Sequence, residues 1–116
     1  MKGRYYRNIG KAVYWTKNFE ALLEEIYNAE GVGLHEKVND IQDHVNSDIL
    51  KKLKYVATIR NKLAHEIDYN ELEEDFEKTC KEIQQFLGKE KKRLHYMEIK
   101  LSFYKKIGRF FQSGKK

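Results

Sequence analysis

The chain contains no proline, one cysteine, seven glycines and one tryptophan among 116 residues. Without proline, no residue has a fixed φ or lacks a backbone donor, so nothing of that kind interrupts a helix. One cysteine excludes an intrachain disulfide and makes a reducing compartment the expectation, hence a cytoplasmic location. Cys80 itself reads as a small buried apolar residue on a helix. No stretch approaches 18 uninterrupted apolar residues, which excludes a spanning helix by pattern. The N-terminus is basic but has neither an apolar run nor a small-residue cleavage site, so no signal peptide is expected.

What is present suits a helical domain. Apolar residues make up 41% and charged residues 35%, with eight tyrosines and six phenylalanines to fill a small core. The length allows one domain. The net charge of +5 is unevenly placed. Residues 1–88 carry 13 Lys/Arg against 16 Asp/Glu, a net −3, and residues 89–116 carry 10 against 2, a net +8. The division expected is therefore a helical bundle over 1–88 and a basic amphipathic C-terminal helix and tail over 89–116.

Five helical segments and no strand are predicted. The first runs from about 4 to 29, with Ile9, Val13, Phe19, Leu22, Leu23 and Ile26 at three- and four-residue spacing and a possible break near Thr16–Asn18. Glu30-Gly31-Val32-Gly33 ends it. The second runs from about 34 to 45 on Leu34, Val38, Ile41 and Val45. Asn46-Ser47-Asp48 signals the cap of the third, about 48 to 66, whose inward stripe is Ile49, Leu53, Val56, Ile59, Leu63 and Ile67. Asn70 with Glu73 resembles a capping box opening the fourth, about 71 to 87, on Leu72, Phe76, Cys80, Ile83 and Leu87. Gly88 is placed as its stop. The fifth covers about 90 to 112. Short loops joining four helices predict an all-α, antiparallel four-helix bundle with the basic helix added to it.

The third helix carries the residues with chemistry. With Arg60 at 0° and about 100° per residue, Ala64 falls near 40°, Asn61 near 100° and His65 near 140°, beside the apolar stripe. Lys54 extends the same polar face, near 120°, two turns earlier. Ala64 has almost no side chain and leaves room for another helix or a ligand. These residue types suit phosphodiester cleavage in RNA. An imidazole can take the proton of a 2′-hydroxyl or give one to the leaving 5′-oxygen. A guanidinium matches two phosphate oxygens and stabilises charge building on them. Asparagine can orient the histidine or bond the phosphate. RNA supplies its own nucleophile, so the chemistry needs no metal or cofactor, and no carboxylate cluster or His/Cys spacing suits one. His35, His44 and His95 are scattered and read as surface or partly packed residues. The bland alternative is a helix end with three ordinary polar residues, since a histidine favours the C-terminal dipole.

Ile59-Arg60-Asn61-Lys62-Leu63-Ala64-His65 resembles the signature of the HEPN family (higher eukaryotes and prokaryotes nucleotide-binding), typically Arg-Asn-x-x-Ala-His late in the third helix of an all-α domain. The resemblance covers roughly residues 4–88, though only the hexapeptide is specific. It implies a HEPN-like bundle and a metal-independent endoribonuclease leaving 2′,3′-cyclic phosphate and 5′-hydroxyl ends. It also implies a composite site between two HEPN domains, hence a homodimer through the Arg60/His65 face or a separate HEPN partner. Arg60 and His65 would then be the catalytic pair and Asn61 the accessory residue. Many relatives act as toxins or phage-defence effectors, which implies an antitoxin or regulatory partner. Others have lost activity and serve in dimerisation or nucleotide binding.

For RNA contact the sequence offers Lys54, Lys62, Arg93, Lys105, Lys106 and Arg109. The last helix leaves three readings open. In it Leu94, Met97, Leu101, Tyr104, Ile107 and Phe111 cluster, and Ile99, Phe103 and Phe110 widen the apolar side to about 220°. It can be a packed fifth helix with a solvated basic face, an RNA-backbone contact that brings substrate to Arg60, or an interfacial membrane helix.

Overall fold

The computed structural model describes residues 2–66, 72 and 74–114, with side chains described for 3, 5–66, 72 and 74–106. Its described residues form four helices, α1 Lys2–Tyr27, α2 Gly33–Asp40, α3 Ser47–His65 and α4 Asp75–Gly114. The all-α class holds. Ile67, the proposed link Asp68-Tyr69-Asn70, the opening of the fourth helix at Glu71 and the Asn70/Glu73 capping box lie outside the described residues.

α1 is unbroken through Thr16–Asn18 and stops two residues earlier than the glycine pair suggests. Asn28 takes the left-handed conformation (φ 56°), and its N–H bonds Glu24 O at 2.9 Å. Asparagine tolerates that conformation and ends the helix before any glycine is reached. Gly31 (φ 128°) then turns the chain back alongside α1. A Cβ on Gly31 would stand 2.6 Å from Glu36 Cβ. Gly31→Ala combines that clash with a φ that side chains avoid, so it is expected to cost about 1–3 kcal/mol in urea unfolding. A loss below a few tenths would show that the loop has another conformation open to it. Lys37 holds the same turn: it is buried, and its Nζ donates to Gly31 O (2.6 Å) and pairs with Glu24 (3.2 Å). α2 is shorter than predicted and gives way to turns over 41–44, although Ile41 and Val45 remain buried. α3 is capped as expected, Asn46 Oδ1 accepting from Ile49 N at 3.0 Å.

The directions of the helices follow from their contacts. Tyr5, near the start of α1, donates to Leu63 O near the end of α3 (3.0 Å), so α1 and α3 are antiparallel. Lys52–Glu82 and the Tyr55–Phe76 ring pair set α3 antiparallel to α4. Lys11–Glu77 and Glu25–Lys91 set α1 parallel to α4. A fully alternating bundle therefore does not form. The reason lies in α2, whose 8 residues span roughly 12 Å. The loop before it returns along α1 to bring Gly33 beside Glu20, and α2 then advances in the same sense as α1. α2 packs on α1 and α3 and makes no contact with α4.

The core joins Phe19 and Leu23 of α1, Leu34 and Val38 of α2, Leu53, Val56, Ile59 and Leu63 of α3, and Phe76, Cys80, Ile83 and Leu87 of α4. Nearly every side chain predicted to face inward from the third and fourth segments is buried. Burial, with a smaller contribution from Glu77, pushes the Cys80 thiol up to about 12. Cys80 is therefore expected to resist a thiol reagent at pH 8 until denaturant is added. Rapid labelling of the native protein would contradict its place in the core.

Two expectations for the C-terminal region need correction. Gly88 does not stop a helix: α4 runs through it for 40 residues in all. A glycine inside a helix costs only about 1 kcal/mol. Here Lys89–Arg93 are strong helix formers, and Glu90 is anchored by Tyr27 (3.4 Å) and Arg93 (3.0 Å). Nor is there a separate fifth helix packed on the bundle. Tyr96, Met97, Ile99, Leu101, Phe103 and Tyr104 are 45–64% exposed. α1 ends at Tyr27, level with Glu90, so the rest of α4 projects beyond the bundle and the molecule measures 76 × 22 × 21 Å.

Candidate functional site

α3 presents the motif as its stripe requires. Ile59 and Leu63 are buried, Arg60 and Ala64 are partly exposed, and Asn61 and His65 are exposed. Arg60 Nη1 donates to Asn61 Oδ1 at 3.3 Å. Tyr5 sits at the end of the motif and accepts no role from the sequence, yet its hydroxyl bonds Leu63 O. That carbonyl belongs to the last turn, where helix carbonyls have no partner within the helix. Tyr5 therefore clamps the start of α1 to the helix end that carries His65.

Arg60 and Asn61 also line a cleft of about 350 Å³ between α1, α2 and α3. Its polar wall includes Thr16, Lys17 and Glu20 from α1 and His35 from the first turn of α2. The side chains of Lys17, Glu20 and His35 make no hydrogen bond or ion pair among the described residues, and Thr16 is buried with its Oγ1 unpartnered. The Val32 side chain offers α2 no cap, although Val32 N–H donates to Glu36 Oε2 at 2.7 Å, and the first three residues of that helix line the cleft. The cleft thus gathers a guanidinium, an ammonium, an imidazole and one carboxylate in its lining, which suits a group of mixed polarity with an anionic part. Sequence reasoning missed these residues. Only the turn at Gly31–Gly33 brings His35 to Arg60, and no local pattern announces that.

His65 does not line this cleft. It is the last residue of α3, with Glu66 N returning to Lys62 O at 2.9 Å. One chain therefore brings Arg60 to Asn61 but leaves His65 on the outer face.

The six residues offered for RNA contact are not gathered at one place. Lys54 is exposed on the motif's helix, one to two turns before Arg60. Lys62 is partly buried and already has a partner. Arg93 is committed to Glu90 (3.0 and 3.3 Å) and touches Met97 Sδ (3.5 Å), and Glu90 holds its guanidinium in the charged form. Lys105 and Lys106 are exposed on the projecting part of α4. Lys105 lies 28 residues further along α4 than Glu77, which pairs with α1 near the cleft, a separation on the order of 40 Å. The side chain of Arg109 lies outside the described residues. Among the described residues no three His, Cys, Asp or Glu side chains converge as a metal site would require.

Compared with protein-family models, curated proteins and solved structures, the chain matches none.

Proposed function

We propose that the chain is a HEPN-type, metal-independent endoribonuclease that acts as a homodimer, in the manner of a toxin or phage-defence effector held in check by an inhibitory partner. The observation that carries the reading is the exposed polar face of α3. There Arg60 is bonded to Asn61, and His65 follows five residues on at the helix end, with the small Ala64 beside it. In this reading one His65 takes the 2′-hydroxyl proton and the 2′-oxygen attacks phosphorus. A protonated His65 of the second copy gives its proton to the 5′-oxygen as the P–O bond breaks. Arg60 stabilises the charge on the non-bridging oxygens. The products are a 2′,3′-cyclic phosphate and a 5′-hydroxyl. The reading takes a second copy from the resemblance, which implies a cleft lined by Arg60 and His65 of each of two chains.

A second reading, a non-cleaving dimerisation or nucleotide-binding module, draws on His65 lying outside the cleft that Arg60 lines and on the unpartnered polar groups of that cleft. Incubation with total RNA in excess EDTA separates the two. Cleavage leaving cyclic phosphate ends supports the enzyme. Intact RNA beside a well-folded dimer supports the module.

A further inference from the structure

The projecting half of α4 has the features of a surface ligand rather than of a packed element. Beyond the shallow cleft where Glu25 and Ile26 of α1 meet Leu94, Met97 and Leu101, its apolar side chains from Tyr96 to Tyr104 lie largely uncovered among the described residues. Six large apolar side chains between 96 and 104 are about half exposed or more. They fall in two groups on the wheel. Leu94, Met97, Leu101 and Tyr104 continue the stripe that packs α4 on the bundle, whereas Tyr96, Ile99 and Phe103 lie nearly opposite. Together the two groups span about 220° of the wheel, with Lys100 inside that arc over the Tyr96 ring, and Lys91, His95, Glu98, Ser102, Lys105 and Lys106 fall in the narrow, mainly basic remainder.

We propose that this half of α4 lies in the headgroup region of an anionic lipid surface, with its aromatic arc inserted and its lysines on the phosphates. The occupant follows from using both features together. Residues 89–116 carry a net +8, which favours an anionic partner. A nucleic-acid backbone would engage the lysines and leave the apolar arc in water. It would also be held on the order of 40 Å from the cleft of the same chain. A second copy laid along this helix would cover the arc but set +8 against +8. A lipid interface takes the broad apolar, aromatic side and the basic side at once. The helix lies on that surface rather than crossing it, since no helix among the described residues is long and apolar enough to span.

The inference is independent of the cleavage reading: Arg60→Ala, His65→Ala protein is expected to bind lipid as the unmodified protein does. The test is co-flotation of the full chain with vesicles of phosphatidylglycerol and phosphatidylcholine, beside vesicles of phosphatidylcholine alone. Binding to the anionic vesicles, weakened by salt, is expected. Ile99→Glu with Phe103→Glu should lower partitioning at least tenfold. Lys105→Gln and Lys106→Gln should each lower it about fivefold. Far-ultraviolet circular dichroism checks that the helix persists in each variant. Equal partitioning of Ile99→Glu, Phe103→Glu protein would overturn the proposal, because contact would then be through charge alone. No flotation of the unmodified protein would also overturn it. So would self-association that the same pair of substitutions dissolves, which would assign the face to a second copy.

Discussion

His65→Ala is expected to lower RNA cleavage by about 10²–10⁴-fold, the usual contribution of a positioned acid or base. Arg60→Ala should cost about 10²–10³-fold, comparable to removing one donor from a site that stabilises transition-state charge. Neither loss should come from unfolding. His65 is the exposed last residue of α3, and the hydrogen bond given by Arg60 goes to its exposed neighbour Asn61. Asn61→Ala removes only that support for the guanidinium and should cost about tenfold or less, on the scale of one modest hydrogen bond. The double variant should be scarcely worse than the worse single one, since groups that act in one step are not additive. Cleavage is measured in EDTA, with the oligomeric state of each variant checked by sedimentation. Full activity in both single variants would remove the proposed site.

Phe76→Ala is expected to cost about 3–5 kcal/mol in urea unfolding. Its ring is fully buried at the start of α4, 6.4 Å from that of Tyr55 on α3. A domain of this size has about 5–15 kcal/mol in total, so the loss is a large share of its stability and should move the urea midpoint far down. Phe103→Ala, the same substitution on the same helix, should change stability by no more than about 0.5 kcal/mol. Its ring is 60% exposed and touches the neighbouring Tyr104 rather than the bundle. A large loss at Phe103 would mean that the projecting half of α4 packs somewhere in solution. A small loss at Phe76 would mean that α4 is not docked through its first turns.

Much of the bundle was legible beforehand because the relevant signals are local. The stripes Leu34–Val38–Ile41–Val45 and Ile49–Leu53–Val56–Ile59–Leu63 are both buried, and Asn46 caps α3. Apolar spacing and a capping side chain act within a turn or two, so they survive in any tertiary setting. The motif's wheel position was legible for the same reason: once Ile59 and Leu63 face the core, Asn61 and His65 must face outward. The cleft beside Arg60 was not legible. Thr16, Lys17, Glu20 and His35 come from two other helices, and only the return of the chain at Gly31 brings them to α3.

By itself, then, the sequence determined an all-helical chain, the inward faces of α2 and α3 and most of that of α4, the cap of α3 and the polar face that carries Arg60, Asn61 and His65. The tertiary structure decided that α1 and α4 run parallel, that α4 continues through Gly88, and that its distal apolar arc has no cover among the described residues. The physical reason is common to all three. A helix's periodicity states which face is apolar, but whether anything covers that face depends on where distant elements end. Here α1 stops at Tyr27 and α3 begins at Ser47, while α4 goes on to Gly114.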